Sequence, residues 1–422
     1  MPHALSRRNF LAATAASAAA IGASVRAAEP SEPIVVGVMG LSRGLDLAKT
    51  FGSTPGVRVK YLCDVDDARA AAAVNIIAKL PNQQPRPLRD FRHMLDDKEI
   101  QAVIVATPDH WHAPATILAC AAGKHVYVEK PCSHNPAEGA LAVAAARKYS
   151  RVVQHGTQRR SYAKIIEAID KVKKGEIGRV VVARGWYNNT RGGIGKGKPA
   201  PVPAGLDWGL WQGPAPRREF HDNYVPYTWH WFWHWGTGEI GNNGTHAIDL
   251  CRWGLGVDYP KKVNSAGARY HFNDDQESPD TNVVTYDFGD RCIIWEGRSC
   301  QPLGFEGSQF GVTFYGRDAS IIIDGGGYRI VDAKGKEISK AAAPSPDSLH
   351  TNDFLDAIRT GRRPSADIEE GHKTTLLCHL ANISWRTGRN LTFDPAAQQI
   401  VNDADAMKLW SRAYEPGWEP KV

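Results

Sequence analysis

Between Ile34 and Asp64 the chain runs strand, glycine turn, helix, strand, acid, and few folds are compatible with that order. The apolar run Ile34 to Met39 ends at Gly40. Leu41-Ser42-Arg43-Gly44 turns the chain into the helical pattern LDLAKTF, which Gly52 to Gly56 breaks. A second apolar run, Val57 to Cys63, stops at Asp64. A dinucleotide-binding βαβ unit has this order. Its glycines let the backbone approach a pyrophosphate, and the helix N-terminus offers partial positive charge. Asp64, 24 residues after Gly40, stands where an acid holds the adenosine ribose hydroxyls. Its charge would repel a 2′-phosphate, so NAD is expected rather than NADP. The glycine pattern is imperfect: a G-x-G-x-x-G from Gly40 requires glycine at 42 and 45, where the chain has Ser42 and Leu45. An ordinary α/β core with a glycine turn is the competing reading.

The continuation favours the nucleotide fold. Gln101 to Pro108 reads as a buried strand closed by a turn, followed by a helix from about Ala113 to Ala122. His125 to Val128 is a strand ending in Glu129-Lys130-Pro131; a helix over about Pro136 to Tyr149 and a strand, Val152 to Gln154, follow. Alternating strands and helices predict a parallel, doubly wound sheet with ligands beyond the carboxyl ends of its strands. Thr107, Lys130 and Gln154 fall at those ends. From Tyr270 onward the runs TNVVTYDF, CIIWEG, FGVTFYG and ASIIIDG suit an antiparallel sheet, and DFLDAIRTG and EEGHKTTLLCHLANISWRTG read as packed helices. The stretch 185–211, rich in glycine and proline, reads as a long arm or lid rather than a strand pair. Its Arg191 and Lys196 are candidates to reach a substrate or a neighbouring subunit, with solvated loop charge the plainer reading of Lys196.

The first residues carry a different message. Ser6-Arg7-Arg8-Asn9-Phe10-Leu11 is a twin-arginine pattern, followed by a small-residue apolar run and a cleavage-like Val25-Arg26-Ala27. The run is too short and too alanine-rich for a membrane span. Residues 1–27 are therefore expected to be a twin-arginine export signal, and the mature protein to be periplasmic and not membrane-bound. The expected division is 32–155 for the nucleotide domain and 156–422 for a substrate-binding and oligomerising domain. Losing Arg7, Arg8 and Arg26, and no acid, lowers the formal charge from +6 to +3, which argues for no nucleic-acid partner. Seven cysteines without a CxxC pair give neither a zinc signature nor a disulfide framework. Cys292 and Cys300 could face each other across a hairpin.

Six motifs in order give the chain a family resemblance: Thr107-Pro108-Asp109-His110-Trp111-His112, Glu129-Lys130-Pro131, Gly156-Thr157-Gln158-Arg159-Arg160, Leu206-Asp207-Trp208 with Gly213-Pro214, Gly244 to Asp249, and Asn352-Asp353-Phe354. On these the chain resembles the glucose-fructose oxidoreductase, inositol dehydrogenase and MocA (Gfo/Idh/MocA) family, over nearly all of the mature length. The resemblance implies an N-terminal Rossmann domain and a C-terminal α/β domain whose large, mostly antiparallel sheet often forms a dimer surface. A homodimer or homotetramer is thus expected. It also implies that Lys130 lies near the nicotinamide and hydrogen-bonds the reacting hydroxyl, with His246 as its catalytic partner. Cofactor contacts are expected from Gly40, Ser42, Arg43, Asp64, Thr107, Pro108, His112 and Glu129. The family often has aspartate four residues before that histidine; here the position is Asn242, which can orient an imidazole but not stabilise its charged form. Either Glu239 substitutes or Lys130 shares the proton relay.

The stretch WHWFWHWGTGEIGNNGTH, Trp229 to His246, sets four tryptophans at alternate positions before that histidine. At period two, the tryptophans from Trp229 to Trp235 would share one strand face. They could stack on sugar rings or form a packed wall, and both are expected, with one or two rings reaching the substrate. Glu239 to Trp253 reads as a helix entering the site, with Asp249 on the side of His246. Gln158, Arg159, Trp233 and Asp249 are the substrate candidates; for Arg159 and Arg160 the alternative is a structural ion pair. His230, His234 and Glu239 lack a spacing that fixes a metal site, and no metal is assigned.

The expected activity is oxidation of a sugar, glycoside or polyol hydroxyl by bound NAD. Export implies that the cofactor travels within the folded protein and is reset in the site. A redox-neutral glycosidase or lyase of the same family is the first alternative, and a non-catalytic sugar-binding protein the second.

Overall fold

A computed structural model describes residues 32–422; the twin-arginine segment 1–27 lies outside the described residues. The first sheet contains β1 (Ile34–Met39), β2 (Val57–Cys63), β3 (Arg86–Leu88), β4 (Ala102–Val105), β5 (His125–Val128) and β6 (Val153–His155). They lie in the order β3-β2-β1-β4-β5-β6, every neighbouring pair parallel. The order reverses between β1 and β4, and the crevice at such a switch point is where a ligand binds. Helices α1 (Arg43–Gly52), α2 (Asp67–Ile77), α3 (Arg92–Asp96), α4 (Asp109–Ala121) and α5 (Pro136–Lys148) connect the strands. Strand residues Val36, Val38, Val103 and Val105 are buried, as expected of a sheet covered on both sides.

Helix α4 begins at Asp109, four residues before its sequence-based start, so His110, Trp111 and His112 are helical and buried. Pro114 sits inside the helix. Proline cannot donate to the carbonyl four residues back, and the His110 carbonyl instead accepts from the Arg412 guanidinium at 2.7 Å. Arg412 is in turn held by buried Glu138. A C-terminal residue thus repairs a defect in the helix that borders the crevice.

Helix α6 (Ala163–Lys173) leads into the second sheet. Its strands are β7 (Val180–Asn188), β8 (Lys262–Ala268), β9 (Thr281–Asp287), β10 (Cys292–Arg298), β11 (Phe310–Gly316), β12 (Ala319–Asp324), β13 (Gly327–Asp332), β14 (Glu337–Ala342), β15 (Leu391–Asp394) and β16 (Gln399–Ile400). The order is β14-β13-β12-β11-β7-β10-β9-β8-β15-β16, antiparallel except for the parallel pair β7/β10. Thus Gly185 to Asn188, expected to belong to the arm, complete β7, because both edges of that strand find ladder partners. Between the sheet strands lie α7 (Trp208–Gln212), α8 (Thr245–Leu255), α9 (Ser348–Thr360) and α10 (Ile368–Thr387). The inner face of the sheet buries Val284, Tyr286, Ile293, Trp295, Val312 and Phe314 against α8 and α10. Each such large side chain contributes about 1.5–3 kcal/mol. Cys292 and Cys300 are separate thiols.

The tryptophan run is not a strand. Thr228–Trp231 is a 3-10 turn. The N–H groups of Phe232, Trp235 and Gly236 then bond to carbonyls three or four residues back. With those donors used locally, no ladder forms and the rings leave in different directions. The expected helix from Glu239 to Trp253 forms, opening with a π-helical turn, Ile240–Gly244, that runs straight into α8.

Candidate active site

Gly40, at the carboxyl end of β1, has φ +85°, and a Cβ there would stand 2.5 Å from the Ala106 carbonyl oxygen. Only glycine fits the turn. It opens a cleft of about 670 Å³ that runs from Asp64 to His246. Ser42 and Arg43 line the cleft at the start of α1, where the Leu45 N–H bonds to the Ser42 carbonyl at 3.2 Å and the N–H groups of Arg43 and Gly44 have no partner within the helix. That is an anion-binding geometry. Asp64 accepts from the backbone N–H groups of Leu41 at 2.9 Å and Asp66 at 3.0 Å, one on each carboxylate oxygen. Each oxygen keeps a lone pair for a ribose hydroxyl. Burial pushes the Asp64 carboxyl up, opposed by those two N–H groups. Beside it, a hollow lined by Met39, Val65, Phe91, Trp111, Leu210 and Trp211 offers apolar walls for a purine. The Thr107 hydroxyl, which lines both spaces, is buried without a partner. An orphan polar atom, a glycine cradle and a ribose-type acid in line fit a dinucleotide.

The opposite end of the cleft holds Lys130, Asn242 and His246. Lys130 follows β5; its Nζ donates to Asn242 Oδ1 at 2.8 Å. Asn242 Nδ2 faces the Tyr227 hydroxyl at 3.5 Å. Asn242 therefore orients the lysine, not the imidazole as expected. His246 Nδ1 is buried and unbonded among the described residues. Burial, with the cations of Arg159 and Lys130 nearby, holds the imidazole far below its ordinary range, hence neutral. Glu239 does not substitute: it turns away to Asn243 and Ser299, and burial raises its carboxyl.

Glu129 braces the loop between the two ends. Its Oε1 accepts from Arg43 Nε at 3.2 Å and Gln158 Nε2 at 3.1 Å, and its Oε2 from the Lys130 N–H at 3.1 Å. His112 faces the carbonyls of Pro131 at 2.5 Å and Thr107 at 2.7 Å. The ring stands between the loops that carry Lys130 and Thr107 and also lines the cleft. Pro108 lines the cleft beside Thr107.

Residues 34–157 match the description "Oxidoreductase family, NAD-binding Rossmann fold", and residues 180–420 match "Oxidoreductase family, C-terminal alpha/beta domain", both of the Gfo/Idh/MocA group. The chain belongs to the Gfo/Idh/MocA oxidoreductase family. It carries that family's NAD-binding domain. Inositol 2-dehydrogenase of Salmonella typhimurium is 28% identical over 155 residues, 36% of this chain and 44% of that protein. The α-N-acetylgalactosaminidase of Shewanella oneidensis is 32% identical over 158 residues, 31% of this chain and 34% of that one. Each match spans less than half of the relative. The structure of levoglucosan dehydrogenase in complex with NADH and levoglucosan superposes with a TM-score of 0.68 at 18% identity, covering 86% of this chain and 99% of that one.

Within the family frame, Gln158 lines the cleft but spends its amide on Glu129 and the Tyr127 hydroxyl. Three substrate candidates do not reach the cleft. Asp249 is buried and holds Arg160 through three bonds of 2.8–3.1 Å, with Thr374 as a further donor. A helix side three residues wide can face two surfaces, and Asp249 faces the core. Trp233 lies against Trp385 and Arg386, on the far side of the 3-10 turn from the cleft. Arg159 stacks its guanidinium 3.9 Å over Phe310, with Nε unbonded, and is absent from the cleft wall. Arg191 lies 3.8 Å over Trp231, and Lys196 donates to the Asp274 carbonyl. His230 and His234 bond to separate carbonyls, of Tyr227 and Pro216. Among the described residues no group of three or more His, Cys, Asp or Glu could hold a metal.

The cleft wall also contains Asp109, Leu206, Trp211, Tyr227, His230 and Asp347, none assigned from the sequence. Asp109 sits inside the TPDHWH motif and Trp211 follows LDW, so both positions carry a sequence signal. Nothing local marks Tyr227 or Asp347, and the sequence marks His230 only as a metal candidate. His230 stacks on Trp229 at a centroid distance of 3.6 Å and meets Tyr227 at 4.3 Å with the rings tilted by 40°, and Tyr227 is half exposed. This is the aromatic platform that the tryptophan run provides.

Proposed function

We propose that the protein is an NAD-dependent oxidoreductase acting on a hydroxyl of a sugar, glycoside or polyol, with its cofactor tightly held. The observation that carries the reading is one cleft with a dinucleotide cradle at one end and Lys130, Asn242 and His246 at the other. The Lys130 ammonium, fixed by Asn242 Oδ1, donates to the substrate oxygen and stabilises its developing negative charge. Neutral His246 accepts the hydroxyl proton. When bound, NAD supplies the hydride acceptor. Tyr227 offers a face for a sugar ring, and the aromatic stack behind it sheds water. Asp64 supports NAD over NADP by disfavouring a second negative group.

Mass spectrometry of the ligand released on denaturation, with assay of a sugar and polyol panel, tests this. Wild type should release NAD or NADH and oxidise a panel member; Lys130→Met should retain nucleotide and lose turnover. If Lys130→Met leaves turnover unchanged, the assignment is wrong. The likeness to the Shewanella glycosidase supports a second reading, redox-neutral cleavage of a glycoside. Its product, a cleaved glycoside with no oxidised sugar, separates the two. The reading includes export of the folded holoprotein through the twin-arginine route, supported by Ser6 to Leu11. It also includes self-association through the outer face of the second sheet, where Val283 and Tyr315 are exposed.

A further inference from the structure

A Rossmann domain on its own leaves the adenosine end of its cleft open, with only the strand ends and loops to hold a ligand. Here a segment that follows β7 lines that end. Pro203, Ala204, Leu206 and Trp211 line the cleft, and Leu210 and Trp211 wall the purine hollow. The segment is shaped by a turn in which Leu206 N–H bonds to the Pro203 carbonyl at 3.1 Å, with Gly205 at φ +84°. Glycine is required at that third position of the turn.

The segment is pinned at two places. Asp67 N–H donates to the Gly205 carbonyl at 3.1 Å, and Asp207 N–H to the Val65 carbonyl at 2.9 Å, so Asp66 and Leu206 pair as an antiparallel bridge. This loop follows Asp64, the ribose acid, directly. Further along, the Trp211 carbonyl accepts from His110 Nε2 and Trp111 Nε1, both at 3.0 Å, from α4. Leu206 and Val65 pack against the same cluster of Trp208, Trp211 and Trp235. The ring so formed runs through the ribose loop, the segment and α4.

We propose that Pro203–Trp211 is a retaining strap: it holds bound NAD by its adenosine half, and the nucleotide leaves only when the two main-chain bonds to the 65–67 loop part. The inference rests on the NAD reading above. It explains how one chain can keep a cofactor that its surroundings do not replenish.

The test uses the full chain and isotope-labelled NAD as the probe, with exchange into the protein followed by mass spectrometry. Asp67→Pro removes the N–H that bonds Gly205. Asp67 is the first residue of α2, where proline is favoured, and Asp66 is extended, as a residue before proline must be. Exchange should quicken about three- to tenfold, the loss of one backbone bond. The reverse variant joins the bridge: Asp66 and Leu206 are a non-hydrogen-bonded antiparallel pair, whose spacing suits a disulfide. Asp66→Cys with Leu206→Cys should slow exchange about tenfold when oxidised and recover on reduction. Exchange within about twofold of wild type in all of these states overturns the strap. If Asp67→Pro does not fold, the oxidised and reduced forms of the cysteine pair decide alone. A wild-type chain that releases no nucleotide on denaturation and takes up no labelled NAD defeats the NAD reading, and the strap with it; a loaded chain with insensitive exchange defeats only the strap.

Discussion

Replacing Asp249 by asparagine separates a structural acid from a substrate-binding one. Its carboxylate is 2% exposed and lies against Arg160, 5% exposed, at 2.8 Å. The variant keeps the volume and removes the charge. The Arg160 guanidinium is then left with Glu370 at 3.3 Å, a partner about one-third exposed. Breaking a buried pair from one side costs about 3–5 kcal/mol, because an uncompensated charge remains. Since Glu370 keeps part of the compensation, about 3 kcal/mol is expected. For the residues 32–422 that are described, an unfolding entropy of about 2.1 cal/mol/K per residue gives roughly 0.8 kcal/mol/K, hence a Tm lowered by about 4 °C. Calorimetry on wild type and variant reads this directly. Arg160→Met in the same chain as Asp249→Leu should recover most of the loss, since replacing both members of a buried pair with apolar groups is often neutral. An unchanged Tm together with lost sugar turnover would return Asp249 to the substrate site and refute the reasoning.

Other outcomes follow from the same geometry. Gly40→Ala places a Cβ 2.5 Å from the Ala106 carbonyl oxygen at a φ that disfavours side chains; nucleotide released per chain should fall to near zero with the fold retained by circular dichroism. Tyr227→Ala should raise the sugar KM by about three- to tenfold, from loss of a stacking face worth about 0.5–1.5 kcal/mol, while Trp233→Phe should leave it unchanged; equal effects in steady-state kinetics would contradict the placement of the two rings. Burial pushes His155 and His379 down to about 3 and His372 to about 4. Unfolded histidine titrates near 6.5, so below that pH the unfolded chain binds more protons than the folded one. The stability these neutral imidazoles confer is full above pH 6.5 and is lost as pH falls from there toward 3. Thermal unfolding at pH 7, 6 and 5 should show a falling Tm, and a flat profile would contradict it.

The sheet strands were legible because each apolar run stops at a residue that cannot continue it: Gly40, Asp64, Pro108, Glu129. The cleft-facing loops inherit their position from those stops, which is why Thr107, Lys130 and Asp64 could be placed without coordinates. Helix α4 begins four residues before Ala113 and holds Pro114 in its interior; the lost bond is repaired by Arg412, nearly three hundred residues away in sequence. The partners of Asn242 and Asp249 were misjudged for the same reason. Helical spacing says which residues share a side, but Lys130 and Arg160 come from other elements and decide where each side chain turns. The tryptophans alternate in sequence, yet alternation carries strand information only when the backbone has ladder partners, and here the N–H groups bond locally.

The central claim is that a dinucleotide occupies the cleft between Asp64 and His246. Mass spectrometry of small molecules released from freshly purified, denatured full-length protein tests it most directly. The account expects NAD or NADH at close to one per chain. Release of no nucleotide, from a protein that also takes up none at saturating NAD, would contradict it.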